Sequence, residues 1–227
     1  MNNIDVLQNT VFPEITLTNE AVNPTLISPN NEVCIQFYQT RETFLDTELY
    51  RDFLKNSISR FRTSVLYTHY KGFLMSQGLD RCQMLGNITA EMATIEMHHN
   101  MLTIFDIALI ISEHIINTYG KISTFDLTEL LGNEHRANRI QLVMLCLTSH
   151  QLYHNDEDLF IHPSMTVGDW KTFLELYRDG ITQDIAFKIL FYLKRALEQG
   201  GSDDGGLLDI RDKVMDWSLK NVQLYYR

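Results

Sequence analysis

The stretch from Met101 to Tyr119 constrains the fold more than any other. It contains the longest apolar-rich region of the chain, Met101 to Ile116, yet Asp106, Ser112, Glu113 and His114 interrupt that region. A helix crossing a bilayer needs about 20 predominantly apolar residues with few charges. The stretch is therefore read as a mostly buried helix of a globular core, stopping at Gly120. The opening residues MNNIDVLQNT lack the basic start and continuous apolar segment of a secretory signal. The expectation is a soluble protein of the cytoplasm with no membrane partner.

A chain of 227 residues with 44% hydrophobic side chains can bury a sizeable core, so disorder is not the default. Cys34, Cys82 and Cys146 cannot all pair within one chain, and reduced thiols are the simpler assumption. The formal net charge of −10 argues against broad adhesion to nucleic acid, because phosphate contacts need clustered Lys and Arg.

Residues 1–40 hold Pro13, Pro24 and Pro29 among many Asn and Thr, which predicts an extended N-terminal arm with a short strand near Val33 to Tyr38. Residues 41–199 read as a helical domain. Phe44, Leu45, Leu49, Phe53, Leu54 and Ile58 recur at helical spacing, and a second helix runs through Val65, Leu66, Tyr70, Phe73 and Leu74 to Gly78. Arg51, Lys55, Arg60, Arg62, Lys71 and Arg81 fall in or near these two helices, as a solvated face or as a basic surface beside a site. Met84 to Met97 alternates weakly and suggests a small β-hairpin, or a strand, ending at His98-His99. Ser123 is placed to cap a short helix stopping at Gly132, and a further helix is predicted from about Leu142 to His154. Trp170 to Tyr177 and Ile181 to Leu197 show helical spacing. Residues 200–227 read as a Gly-rich connector and a last helix through Ile210, Val214 and Trp217. The fold class expected is α+β, mostly helical.

Half of the eight histidines fall into two tight groups, His98-His99 and His150 with His154. On a helix, His150 and His154 lie one turn apart on one face, the spacing that lets two imidazoles reach one divalent ion. Adjacent histidines at a strand end point to opposite sides unless the strand bends there. A surface or packing role is the alternative for either group taken alone.

Three segments together resemble the HNH (ββα-metal) endonuclease family. They are Asp80-Arg81-Cys82-Gln83-Met84-Leu85-Gly86, then Ile95-Glu96-Met97-His98-His99, then Leu142 to His150 with His154. The resemblance covers residues 81–155 and is nearest the histidine-rich branch. Leu85 and Ser149 stand where zinc-stapled members carry cysteines, so no structural zinc is expected. Gln141 or Asn138 takes the place of the family's Asn.

The resemblance implies a metal-dependent endonuclease, a hydrolase acting on phosphodiester bonds of nucleic acid, with DNA the expected partner. His98, His150 and His154 would ligate one divalent ion (Mg²⁺, Mn²⁺, Ni²⁺ or Zn²⁺), and three imidazoles favour a transition metal. His99 would be the general base, with Asn138 and Gln141 in the catalytic set. Glu96 is placed to orient an imidazole. The same resemblance points to a bacterial or phage-infected cell. The alternative is a catalytically silent binding or structural protein on the same scaffold.

Overall fold

The computed structural model describes residues 25–27, 34–36, 38–155, 159–200 and 206–225. Among them are eight α-helices and three small two-stranded sheets, so the chain is α+β and mostly helical, as its sequence predicts. Most of the expected N-terminal arm and of the Gly-rich connector lies outside the described residues. Strand β1 (Thr25–Ile27) pairs antiparallel with β2 (Cys34–Gln36). Strand β3 (Gln39–Thr40) is the next extended segment.

Helix α1 (Thr47–Arg62) begins where the Asp46 carboxylate accepts hydrogen bonds from the Glu48 and Leu49 amides, at 2.9 and 3.1 Å. It buries Phe53, Leu54, Ser57, Ile58 and Phe61, one stripe at three- and four-residue spacing. Leu45 and Leu49, expected on that stripe, are 76% and 54% exposed: Leu45 ends the short turn Thr43–Leu45 before the helix, and Leu49 lies in the first helical turn, ahead of the buried stripe that begins at Phe53. Ser64 caps α2 (Val65–Ser76), and the chain leaves it through Gly78 at φ +90°.

The segment from Met84 onward is not a self-paired hairpin. A turn closes with Gly86 N–H on the Cys82 carbonyl at 2.7 Å, and Gln83 exchanges two hydrogen bonds with the backbone of Met144. Strand β4 (Ile95–His99) follows. Helix α3 (Ile104–Tyr119) opens with a Thr103–Asp106 capping box and ends at Gly120 with φ +76°. Strand β5 (Lys121–Ile122) pairs with β3.

Ser123 caps α4 (Thr124–Arg136) as predicted, but this helix continues past Gly132. A Cβ there would lie 2.1 Å from a Leu66 methyl, so the glycine lets α2 and α4 approach and does not end the helix. The predicted helix from Leu142 is also corrected: Leu142–Cys146 is strand β6, and only Leu147–Asn155 is helical, as α5. All five strand residues are buried. A short apolar run covered on both faces has no helical or alternating period to distinguish it.

Helices α6 (Trp170–Leu176), α7 (Gln183–Gly200) and α8 (Leu207–Tyr225) complete the chain. Ile185, Ile189 and Leu193 of α7 join the same core as Leu207, Ile210 and Val214 of α8. Burying each such side chain contributes about 1.5–3 kcal/mol. The Lys188 ammonium reaches the Asp106 carboxylate at 2.6 Å, tying α7 to the first turn of α3. No described helix is long and apolar enough to cross a membrane.

Candidate metal centre

β4 and β6 pair antiparallel over five consecutive positions, from Ile95 opposite Cys146 to His99 opposite Leu142. Helix α5 follows β6 directly, and its first amide, that of Leu147, donates to the Thr94 carbonyl at 3.2 Å. This ββα unit is the small β element expected within the helical domain. The Cys82 thiol lies 3.5 Å and the Cys146 sulfur 3.3 Å from the Ser149 hydroxyl, which packs the turn at Cys82 against the start of α5. Both thiols are free and buried.

Regular pairing fixes where the histidines point. With no bulge in the ladder, Glu96 and His98 project from one face of β4 while Met97 and His99 project from the other. His98 meets α5. Its ring centroid lies 4.8 Å from that of His150 and 5.2 Å from that of His154, and the last two are 4.8 Å apart. One ligand nitrogen from each falls within 4.8 Å of the others. The Tyr153 ring packs edge-on to His98 at 4.8 Å and fixes the plane of that imidazole.

Polar contacts set which nitrogens face inward. Glu96 Oε2 lies 2.5 Å from His150 Nδ1, which leaves His150 Nε2 turned towards His154 Nε2 at 3.0 Å. His98 Nε2 is buried without a hydrogen-bond partner. Burial, and then the nearby His150 and His154, push His98 down to about 4, so its ring is neutral at physiological pH with a lone pair free to donate. Exposure is graded across the group: His98 is buried, His150 half-buried and His154 exposed. Chemically this is a three-nitrogen cup, open on the His154 side, that could hold a borderline divalent ion.

The other expected site residues lie elsewhere. His99 sits 2.9 Å, Nε2 to Nε2, from His135 of α4, on the far side of β4. The strand has no bend to swing it round to His98, so it cannot serve as a base for chemistry at the three-histidine group. Asn138 stands in the left-handed region at φ +53° and accepts from the Tyr70 hydroxyl at 3.2 Å. Gln141 is buried and donates to Thr166 Oγ1 and the Tyr192 hydroxyl, at 3.0 and 3.2 Å. Both brace loops. His135 was not foreseen, since a single histidine in an otherwise ordinary helix carries no pattern.

Fold and site together define a mostly helical protein with an embedded ββα unit that gathers three histidines. The chain belongs to the bacteriophage G278-like virion protein family, whose model matches residues 1–220. No curated protein and no solved structure gave a significant match.

Membership of that family overturns the nuclease expectation. The likeness to HNH enzymes, the phosphodiester hydrolysis and the hydrolase class drawn from it are withdrawn. The phage association stands. The resemblance rested on residues 81–155, whereas the family match runs across nearly the whole chain. The displaced His99 fits this correction. A local motif of histidines on a strand and a helix is a way of gathering nitrogen ligands, and it does not specify a reaction.

Proposed function

We propose that this protein is a structural component of the phage particle. The observation that carries the reading is the virion family match over residues 1–220. Arg41 bridges Glu113 and Asn117, Tyr50 donates to Glu113, and Lys188 holds Asp106, so partly exposed polar contacts tie separate elements of the domain together. The acidic balance, with a formal charge of −10, also suits a protein that meets other proteins more readily than packaged nucleic acid.

The test is quantitative mass spectrometry of gradient-purified particles from infected cells, compared with the cleared lysate. The protein is expected in the particle fraction at a fixed ratio to the other virion proteins. Abundance in the lysate with none in particles would sink the reading. Incubating the purified protein with plasmid and Mg²⁺, Mn²⁺ or Ni²⁺ should leave the DNA intact.

A further inference from the structure

We propose that His98, His150 and His154 bind one borderline transition-metal ion, of the Zn²⁺, Co²⁺ or Ni²⁺ class, which clasps α5 to β4. The side-chain geometry that supports this site is independent of whether the chain enters particles. Three imidazole nitrogens lie within 4.8 Å of one another. In a tetrahedral zinc site with Zn–N of about 2.0 Å the nitrogens stand about 3.3 Å apart, so a small inward adjustment closes the cup. His150 Nε2 and His154 Nε2 already lie 3.0 Å apart.

Two further features point to an ion and not to a plain packing cluster. His98 Nε2 is buried with no partner, and a buried polar atom left unpaired carries a desolvation cost that a metal bond would recover. Glu96 bonds the outer nitrogen of His150, the arrangement in which a carboxylate fixes the tautomer and raises the basicity of a ligating imidazole. Glu96 is thus a positioning residue. With nitrogen donors on the protein side, Mg²⁺ and Ca²⁺, which prefer oxygen, are disfavoured. The exposed His154 leaves a solvent-side position for water or another exogenous ligand.

The test uses tag-free, full-length protein stripped with EDTA and titrated with Co²⁺ alone, then Zn²⁺ alone. Readouts are metal per chain, visible d–d absorption and calorimetry. One ion per chain is expected, with Zn²⁺ displacing Co²⁺. His154→Ala, at an exposed position that should not disturb folding, is expected to abolish uptake, whereas His69→Ala, at an exposed histidine on α2, leaves it unchanged. Glu96→Ala should weaken binding by about 10–100-fold, and Glu96→Gln, whose amide oxygen accepts the same N–H, should restore part of it. No uptake by native protein with a folded circular dichroism spectrum would overturn the proposal. Uptake unaltered in His154→Ala would do the same, and unaltered affinity in Glu96→Ala would remove Glu96 from the site.

Discussion

His99 and His135 meet Nε2 to Nε2 across 2.9 Å, one from a strand and one from a helix, on the side of β4 away from the three-histidine group. His135 Nδ1 is 2.7 Å from the Leu131 carbonyl and therefore carries the proton it donates there. Its Nε2 is then the acceptor and His99 Nε2–H the donor, a pairing that requires His135 to be neutral.

That neutrality predicts a pH dependence of stability. Burial pushes His135 down from its ordinary 6.5 to about 4, against the opposing pull of the Leu131 carbonyl. The folded protein then binds fewer protons than the unfolded chain between those values. Stability should fall as pH drops from about 6.5 towards about 4, and this residue's contribution levels off below that, with a total loss of about 3 kcal/mol. Urea unfolding followed across this range checks it. A His135→Gln variant, whatever its own stability, should give a profile flatter by one proton, and an unchanged slope would count against a neutral buried His135.

Glu134 makes a second prediction. It is only 3% exposed and is held by Arg139 at 2.6 and 2.8 Å and by the Tyr177 hydroxyl at 2.8 Å. Arg139→Met strands a buried carboxylate and should cost about 3–5 kcal/mol in denaturant unfolding. Adding Glu134→Gln should recover most of that loss. A double variant as unstable as the single one would mean that the charge is not the cause.

Gly168 adopts φ +103°, and a Cβ there would lie 2.0 Å from the Ile140 carbonyl oxygen. Neither the backbone angle nor the contact tolerates a side chain. Gly168→Ala should therefore destabilise by about 1–3 kcal/mol, which lowers the melting temperature by roughly 3–10 °C in a chain of this size. Calorimetry would show it, and a melting temperature unchanged from native would contradict the close approach.

Ser123 caps α4 and shares its capping box with Asp126, whose carboxylate accepts from the Ser123 amide at 2.9 Å. Ser123→Ala should cost about 1 kcal/mol. Ser123→Asp, which restores an acceptor, should lose less, and equal losses in the two variants would point to packing at this buried position.

Much of the helical frame was legible in the sequence because its signals are local. Gly120 ends α3, Ser123 starts α4, and the stripe from Phe53 to Ile58 marks α1. The grouping of His98 with His150 and His154 was legible too, since helix spacing and strand alternation place side chains on known faces. Leu142–Cys146 was not, because a fully buried apolar run looks alike as strand or helix. Gly132 misled for a related reason: its role is set by Leu66, which is distant in sequence. His99 was assigned to the wrong face because adjacency in sequence suggested a bend that the regular β4–β6 ladder does not contain.

That ladder joins strands separated by two complete helices, α3 and α4. No local turn can bring His98 to His150, so the entropy of closing a long loop must be met before the three imidazoles meet. As the chain leaves the ribosome, the strand carrying His98 has no edge to pair with until Leu142–Cys146 emerges, and the cup cannot form before α5 follows. The histidine cluster therefore follows the long-range β4–β6 pairing and does not nucleate it.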